Sequence, residues 1–348
     1  MLDLRTSLPK HILVVRSLPG LGDLLCGVPA LRALRAAFPA SRISFMGLPG
    51  QRWFGDRFIH LIDAWVDFSG YPGIPEGWQG AEVIPPFLIE QQGQAYDLAL
   101  QMHGSGSYIN SFISLLGAKV QAGFFVPGQY CPDPHHFLAY PDKEPEIWRL
   151  LRLLEYLQIP LQGDRLEFPI QSSDLCAYLH QAKLSNLQPQ SYVCIHPGAS
   201  GGDRRWSPTG FAAVADTLAQ KGYTVVLTGT AAEQALVETV AQKMASRPVS
   251  LAGKTSLGTL AVLLQRSALL VCNDTGISHL AAATNTPSVV VFSNSEVHRW
   301  APLDGDRHHT VDARQLQSAT LEKVLAEVEA LLFRQSDQSV QREVAHAG

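Results

Sequence analysis

The chain has 348 residues, of which 46% are hydrophobic and 17% charged, a composition typical of globular proteins and a length sufficient for two domains. A formal net charge of −4 argues against a nucleic-acid partner, which would require a broad basic surface. No apolar run approaches the length of a membrane span, the opening residues lack an apolar signal core, and the five cysteines are scattered, so we predict a cytoplasmic protein with reduced thiols.

In the first half, short strands alternate with a helix. The predicted strands are HILVVR, RISFMG and DLALQM, and LLCGVPALRALRAAF has the apolar spacing of an amphipathic helix. The stretch from Ser69 to Pro86 is rich in Gly, Pro and Trp and is predicted to be a loop. The first strand ends at a Pro-Gly-Leu-Gly turn, and Asp23 follows this turn directly. From the turn alone, Asp23 could be either a helix cap or a catalytic base.

The second half has a clearer alternation. Its predicted strands are YVCIHPG, YTVVLTG, VSLAG, ALLVCND and PSVVVFS. One of the intervening helices should begin after an N-cap at Ser207, and another after Thr255 or Ser256. Strands that alternate with helices of this length predict a parallel sheet covered on both faces.

The chain is therefore predicted to form two α/β domains. The N-terminal domain covers residues 1–175, the C-terminal domain covers residues 190–333, and a polar tail occupies residues 334–348. The polar stretch from Pro169 to Ser191, which contains LQPQS, is predicted to be the linker.

Small, glycine-flanked and charged residues follow three strands of the second half. HPGAS with Arg-Arg-Trp follows the first, TGTAAE the second and NDTGISH the third. Ligands of open parallel sheets bind beyond the carboxyl ends of the strands, and helix N-termini with a nearby arginine bind phosphate. Helix capping explains each segment taken singly, but the three together predict a nucleotide-type ligand.

Other motifs argue against alternative chemistries. The segment GLGDLL lacks the third glycine of G-x-G-x-x-G, which disfavours a dinucleotide oxidoreductase, and Val28 stands where a P-loop has lysine. Asp304 and Asp306 form a D-x-D sequence that we interpret as a solvated turn, and His308 and His309 are predicted to be surface histidines. We predict no metal site and no cofactor.

Taken together, these motifs resemble glycosyltransferase family 9, the heptosyltransferase-like enzymes of lipopolysaccharide assembly. The resemblance rests on Val14 to Leu34, HPGAS with RRW, TGTAAEQ, GKTSL, NDTGISHLAAA and QMHGSGSYINSFISLLGAKVQAGF, in the family's order over almost the whole chain. It implies a GT-B fold, in which two Rossmann-like α/β domains face each other across a cleft. The N-terminal domain would bind the acceptor, and the C-terminal domain would bind a nucleotide-sugar, ADP-heptose in the best-known members.

The resemblance also implies roles for individual residues. Asp23 matches the family's general base, with Gly22 and His103 on the acceptor side. The residues implied on the donor side are Ser200 and Arg204 at the diphosphate, Glu233 at the ribose, and Asp274, Thr275, Gly276 and His279 of the D-T-G-x-x-H element. Where the family commonly has a Gly-Pro-Thr-Asp-like turn, this chain has Ser293 to Glu296, so the resemblance does not identify the sugar.

The predicted function is an inverting, metal-independent transfer of heptose or a related sugar from an ADP-linked donor. The acceptor would be a lipopolysaccharide or another glycan or lipid-linked molecule. A peripheral contact at the inner face of the cytoplasmic membrane stays open. Two alternatives also stay open: a sugar-nucleotide epimerase of GT-B build, active on donor alone, and a non-catalytic relative that binds a nucleotide-sugar.

Overall fold

The computed structural model of the protein describes residues 8–316 and 320–346. It divides into two compact units, one ending at Leu166 and the other beginning at Glu167. Within the described residues, each unit contains one six-stranded sheet in which all strand pairs are parallel. Each unit is therefore of the doubly wound α/β class.

The sheet of the first unit has the order β3-β2-β1-β4-β5-β6, the order of a Rossmann fold. Its strands are β1 (His11–Val15), β2 (Arg42–Gly47), β3 (Ala64–Asp67), β4 (Leu98–Gln101), β5 (Val120–Phe125) and β6 (Phe137–Ala139). The predicted strands β1, β2 and β4 are confirmed. Sequence reasoning missed β3 and β6, which are short edge strands, and β5, whose apolar run is interrupted by Gly123.

The helices of the first unit cover its sheet. They are α1 (Leu21–Cys26), α2 (Val28–Ala37), α3 (Arg52–Arg57), α4 (Ile84–Gly93), α5 (Ile109–Leu115) and α6 (Glu146–Tyr156). The single helix predicted after β1 is in fact two helices, which meet at Gly27. The predicted loop from Ser69 is confirmed as far as the short 3₁₀ turn at Ala81–Val83, after which α4 begins.

The second unit repeats the strand order of the first. Its strands are β7 (Tyr192–His196), β8 (Thr224–Leu227), β9 (Val249–Ser250), β10 (Leu269–Asn273), β11 (Ser288–Phe292) and β12 (His308–Asp312). The order β12-β11-β10-β7-β8-β9 becomes 6-5-4-1-2-3 when counted within the unit, which is the order of the first sheet read from its other edge. All five strands predicted here are confirmed, and β12 is an addition.

The prediction of surface histidines at the start of β12 is wrong for His308. This residue is buried, and its Nδ1 lies 2.8 Å from the Ser288 hydroxyl on the neighbouring strand. His309 pairs with Glu327, with its Nδ1 2.6 Å from the carboxylate. The sequence did not predict a strand here because the two histidines are not part of an apolar run. They nevertheless begin β12, which pairs with the fully buried strand β11.

The helices of the second unit are α7 (Ser172–Leu184), α8 (Pro208–Gln220), α9 (Gln234–Lys243), α10 (Leu257–Arg266), α11 (Gly276–Ala283), α12 (Val297–Trp300), α13 (Ala313–Leu316) and α14 (Thr320–His346). The predicted N-cap at Ser207 is confirmed, because its hydroxyl accepts from the Gly210 N–H at 3.0 Å. Of the two candidates for the start of α10, Ser256 is the cap, and it accepts from the Thr259 N–H at 3.1 Å.

The segment predicted to be a linker forms helix α7 instead. It packs on α10, where the Asp174 carboxylate lies so close to Gly258 that a Cβ there would be 1.9 Å from it. The Tyr178 hydroxyl is also 3.3 Å from that of Tyr192. The polarity of this segment reflects a helix with one exposed face. Helix α14 continues into the polar tail set apart at 334–348, as far as His346.

Within the part of the chain that the structure describes, no helix has both the length and the apolar character needed to cross a membrane.

Candidate functional site

The candidate residues lie at the switch point of each sheet. In both orders the chain reverses its direction of winding between two central strands, β1 and β4 in the first unit and β7 and β10 in the second. Ligands of such sheets bind beyond the carboxyl ends of these strands. Asp23 follows β1 and His103 follows β4, while Ser200 follows β7 and Asp274 follows β10.

A buried arginine organises the switch point of the first unit. Arg16, only 1% exposed, follows β1 directly, and its Nε donates to the Asp23 carbonyl at 2.7 Å. Its Nη1 donates to the Met102 carbonyl at 2.6 Å, and its Nη2 donates to the Glu146 carboxylate at 2.8 Å. Burial alone would lower the pKa of Arg16, but the carboxylates of Glu146 and Asp23 outweigh it and raise that pKa. Arg16 therefore stays charged.

Asp23 is the third residue of α1, whose N-cap is Gly20. The interpretation of Asp23 as the N-cap is therefore wrong, although a carboxylate in the first turn still favours the helix electrostatically. Its side chain is 22% exposed and lies 3.8 Å from Nη2 of Arg16. A Cβ on Gly20 would lie 2.3 Å from its Oδ2, so a larger residue there would displace this carboxylate, and Gly22 is buried in the same helix.

His103 is held just beyond the end of β1 in its neutral form. The Ser17 N–H donates to its Nδ1 at 3.2 Å, which places the ring proton on Nε2. Burial, together with the positive charge of Arg16, lowers the pKa of His103 to about 4. The imidazole also lines a 310 Å³ cavity between the residues around Ile74 and the 104–109 turn. A hydroxylated ligand there would meet a neutral N–H donor.

In the second unit, Asn273 joins the two strand ends. This fully buried residue ends β10, and its amide donates to the Pro197 carbonyl at 2.8 Å and the Gly198 carbonyl at 3.3 Å. Its Oδ1 accepts from the Trp206 N–H at 2.8 Å. One side chain thus holds both ends of the loop that carries Ser200 and Arg204.

Glu233 approaches this loop from the end of β8. Its carboxylate accepts from the Thr230 N–H at 2.8 Å and the Thr230 hydroxyl at 2.9 Å. Burial would raise its pKa, but these hydrogen bonds, the neighbouring His196 imidazole and the positive charge of Arg205 lower it overall. His196, whose Nε2 is 4.0 Å from Glu233, is buried, and burial lowers its pKa to about 4 against the pull of that carboxylate.

Asp274 is a buried carboxyl group next to the nucleotide-type motifs. Burial raises its pKa, while the Ser295 hydroxyl and the positive charge of Arg204 oppose that rise. Arg204 ends a short 3₁₀ turn and is half-buried, whereas Ser200 is exposed earlier in the same loop. The structure therefore brings Arg204 within electrostatic range of Asp274.

Helix α11 begins two residues after Asp274. Thr275 is its N-cap in an extended conformation, and Gly276 is its first residue. A helix start presents backbone N–H groups that lack intrahelical acceptors, which suits an anion. His279 is one turn further, 3% exposed, and its ring lies edge-on to Trp300 with 6.1 Å between centroids. His279 therefore packs from α11, the helix that carries the motif, against Trp300 of α12.

The described residues contain no group of three or more His, Cys, Asp or Glu side chains that could hold a metal ion. The D-x-D sequence forms a turn in which the Asp306 N–H donates to the Asp304 carboxylate at 3.1 Å. The Asp306 side chain is 93% exposed. Metal independence itself stays a prediction.

Sequence reasoning missed three organising residues. Arg16 was visible as a charge at the end of an apolar strand, and Asn273 as the residue that precedes Asp-Thr-Gly. Glu146 carries no local signal, because it meets Arg16 from a helix 130 positions further along the chain.

Comparison with known proteins supplies the family. Residues 89–328, more than half of the chain, match the family model "Glycosyltransferase family 9 (heptosyltransferase)". The chain belongs to glycosyltransferase family 9. The solved structure of Escherichia coli ADP-heptose LPS heptosyltransferase II superposes with a TM-score of 0.73 at 20% identity, covering 94% of this chain and 99% of that one. This likeness confirms the predicted GT-B fold class, with its two Rossmann-like units.

Curated relatives in the family are heptosyltransferases. Lipopolysaccharide heptosyltransferase 3 of E. coli is 36% identical over 116 residues, 32% of this chain and 34% of the relative. The core heptosyltransferase OpsX of Haemophilus influenzae is 22% identical over 311 residues, 87% of this chain and 84% of the relative. The match thus spans about a third of the first relatives' length and most of the more distant one's.

Proposed function

We propose that this member of family 9 transfers a sugar, heptose or a related one, from an ADP-linked donor to a lipopolysaccharide or another glycan acceptor. Membership of the family and the names of its curated relatives support heptosyl transfer. The ADP-linked donor is the one named for the structurally similar E. coli heptosyltransferase II. The observation that carries the chemistry is Asp23, a partly exposed carboxylate at the switch point of the first unit, where Ser17 also holds a neutral histidine, His103. The fully buried arginine beneath it explains why the carboxylate is held there.

Asp23 would act as the general base. The acceptor hydroxyl attacks the anomeric carbon, its proton passes to the Asp23 carboxylate, and the bond from that carbon to the diphosphate oxygen breaks. Attack from the face opposite the leaving group inverts the anomeric centre. His103, a neutral donor, would hold an acceptor hydroxyl through its Nε2–H, and Gly22, buried in α1, would lie on the same acceptor side.

The second unit would bind the donor. Arg204, Ser200 and the N-terminus of α11, at Thr275 and Gly276, would take the negative charge that grows on the departing nucleoside diphosphate. Glu233 would accept hydrogen bonds from the ribose hydroxyls, with Asp274 and His279 supporting the start of the helix. Such a site needs no metal, and the proposed reaction is metal-independent.

The test is the Asp23→Asn variant, which retains the size of the side chain and removes the base. We expect turnover with ADP-heptose and a lipopolysaccharide-type acceptor to fall by roughly 10²–10⁴-fold, the usual cost of a lost general base. ADP affinity by calorimetry and the melting temperature should stay close to wild type, because Asp23 lies in the other unit from the nucleotide motifs.

Near-normal turnover by Asp23→Asn would remove Asp23 from the mechanism. Turnover of the donor without any acceptor would point to an epimerase, and tight donor binding without turnover would point to a binding protein. A location at the inner face of the cytoplasmic membrane, held by peripheral contact, stays a prediction that cell fractionation can test.

A further inference from the structure

We infer that Arg16 and Glu146 form a buried positioning pair that fixes Asp23 in place and balances the charge beside it. The inference deepens the proposed function and rests on Asp23 as its base. Arg16 contacts Asp23 twice, through the backbone carbonyl at 2.7 Å and through the side chain at 3.8 Å.

The first part of the role is geometric. The three guanidinium nitrogens of Arg16 donate hydrogen bonds to three separate parts of the unit. These are Asp23 in the first turn of α1, Met102 directly after β4, and Glu146, the first residue of α6. The planar fork of arginine can hold three such acceptors in fixed directions, which an ammonium group cannot do. The α1 turn is thereby tied to the end of the neighbouring strand and to a helix far away in the sequence.

The second part of the role is electrostatic. A lone positive charge this close to Asp23 would make it a poor proton acceptor. The Glu146 side chain is 4% exposed and accepts a hydrogen bond from Arg16 at 2.8 Å, a shorter distance than that from Arg16 to Asp23. Glu146 therefore offsets most of the positive charge of Arg16. The Asp23 carboxylate is attracted by Arg16 but is not its hydrogen-bonded partner at 3.8 Å.

Other ionisable groups also face this pair. Cys26 of α1 contributes to the raised pKa of Arg16, and His103, which follows β4, is held in its neutral form. Arg149 lies on α6, with its Nη1 3.7 Å from the second oxygen of Glu146. Because Arg149 also donates to the Tyr140 hydroxyl at 2.7 Å, it is shared between Glu146 and a separate contact. Glu146 thus lies between two buried arginines and is the carboxylate closest to Arg16.

The decisive variant is Glu146→Gln, whose side-chain oxygen can still accept from Arg16 while the negative charge is lost. The unbalanced Arg16 should stabilise ionised Asp23, so that the acidic limb of the kcat–pH profile moves to lower pH by about one unit. The plateau kcat should fall about tenfold, because a more acidic carboxyl is a weaker base. A merely structural Glu146 would lower stability and leave the acidic limb in place.

Arg16→Lys tests the geometric part. It keeps the charge but loses the fork, and we expect kcat to fall on the order of 10²-fold, the cost of a small misplacement of a reacting group. KM for the nucleotide-sugar should be nearly unchanged. The matched control is Arg35→Lys in the same unit, since Arg35 likewise donates to two backbone carbonyls, Ser41 and Leu61, and to a carboxylate, Asp63.

The control should keep the wild-type kcat and acidic limb. A folded Glu146→Gln protein, by circular dichroism, with wild-type kcat and acidic limb would overturn the inference, even if Arg16→Lys fails to fold. An equal loss of kcat in Arg35→Lys would also overturn it, by assigning the effect to general destabilisation. If Asp23→Asn is inactive while Glu146→Gln has normal activity, the positioning role is rejected and Asp23 stays the proposed base. If Asp23→Asn is active, the assignment of Asp23 as the base is itself rejected.

Discussion

Glu233 lies against Gly198 so closely that a Cβ on Gly198 would be 2.1 Å from a carboxylate oxygen. The two residues follow neighbouring strands, β7 and β8, at the switch-point edge of the second sheet. Their contact sets how near the carboxylate can come to the loop that carries Arg204.

Gly198→Ala should therefore displace Glu233 and weaken nucleotide binding. Overpacking of this kind typically costs about 1–3 kcal/mol, part of it in stability and part in ADP affinity. Calorimetric titration with ADP and thermal unfolding measure the two parts. Gly202→Ala is the control in the same loop, because a Cβ there would meet no atom within 4 Å. Equal ADP affinity in both variants would contradict a nucleotide role for this contact.

Arg204→Ala should weaken ADP binding by about 1.5–3 kcal/mol, the usual contribution of a hydrogen bond to a charged group. The reason is its place beside Asp274 and the start of α11, where a diphosphate would lie. Arg247→Ala, an exposed arginine of the same unit, serves as the control and should leave the affinity intact. An unchanged dissociation constant for Arg204→Ala would rule out the diphosphate contact.

Asp274→Asn should change how stability depends on pH. Because burial raises the pKa of Asp274, the native state keeps its proton to higher pH than the unfolded state does. Wild-type stability is then lost as pH rises from about 4, the ordinary aspartate range, through the raised pKa. The asparagine variant lacks this loss, so its stability relative to wild type should increase as pH rises through that window.

Melting temperatures of wild type and Asp274→Asn, measured between pH 4 and neutrality, would show this divergence. A difference that stays constant with pH, or that shrinks as pH rises, would refute the linkage. ADP affinity measured on the same samples separates any change in binding from the change in stability.

Transfer activity should survive an excess of EDTA. The D-x-D turn at Asp304 and Asp306 is solvent-exposed, and its geometry is that of a hydrogen-bonded turn. Loss of turnover on chelation, restored by magnesium or manganese but not by sodium, would show that the reaction needs a divalent cation. An Asp306→Asn variant would then show whether this turn supplies the ligand.

The strands at the centre of each sheet could be predicted from sequence, and those at its edges could not. Central strands such as β1 and β10 are buried on both faces and read as continuous apolar runs. Edge strands such as β3 and β12 are partly exposed, so their composition resembles that of loops. Helix starts were predictable where a side chain caps them, as at Ser207, and not where glycine does, as at Gly20.

The candidate site follows the same division. Motif residues such as Asp23 and Asp274 were found because they lie in a few consecutive residues with glycine. Their charged and amide supports were not, since Arg16 meets Glu146 only through the packing of α6 on the first sheet. A sequence motif records the groups that face a ligand, whereas the groups behind them are assembled by tertiary structure.

Helix α1 has only six residues, too few to be helical on its own in water. It therefore depends on the positioning pair of Arg16 and Glu146, and opening of that pair would release the α1 turn while the six-stranded sheet stays intact. Hydrogen exchange would register this as a local opening confined to residues 20–27. Activity could then be lost at a temperature at which the rest of the domain is still folded.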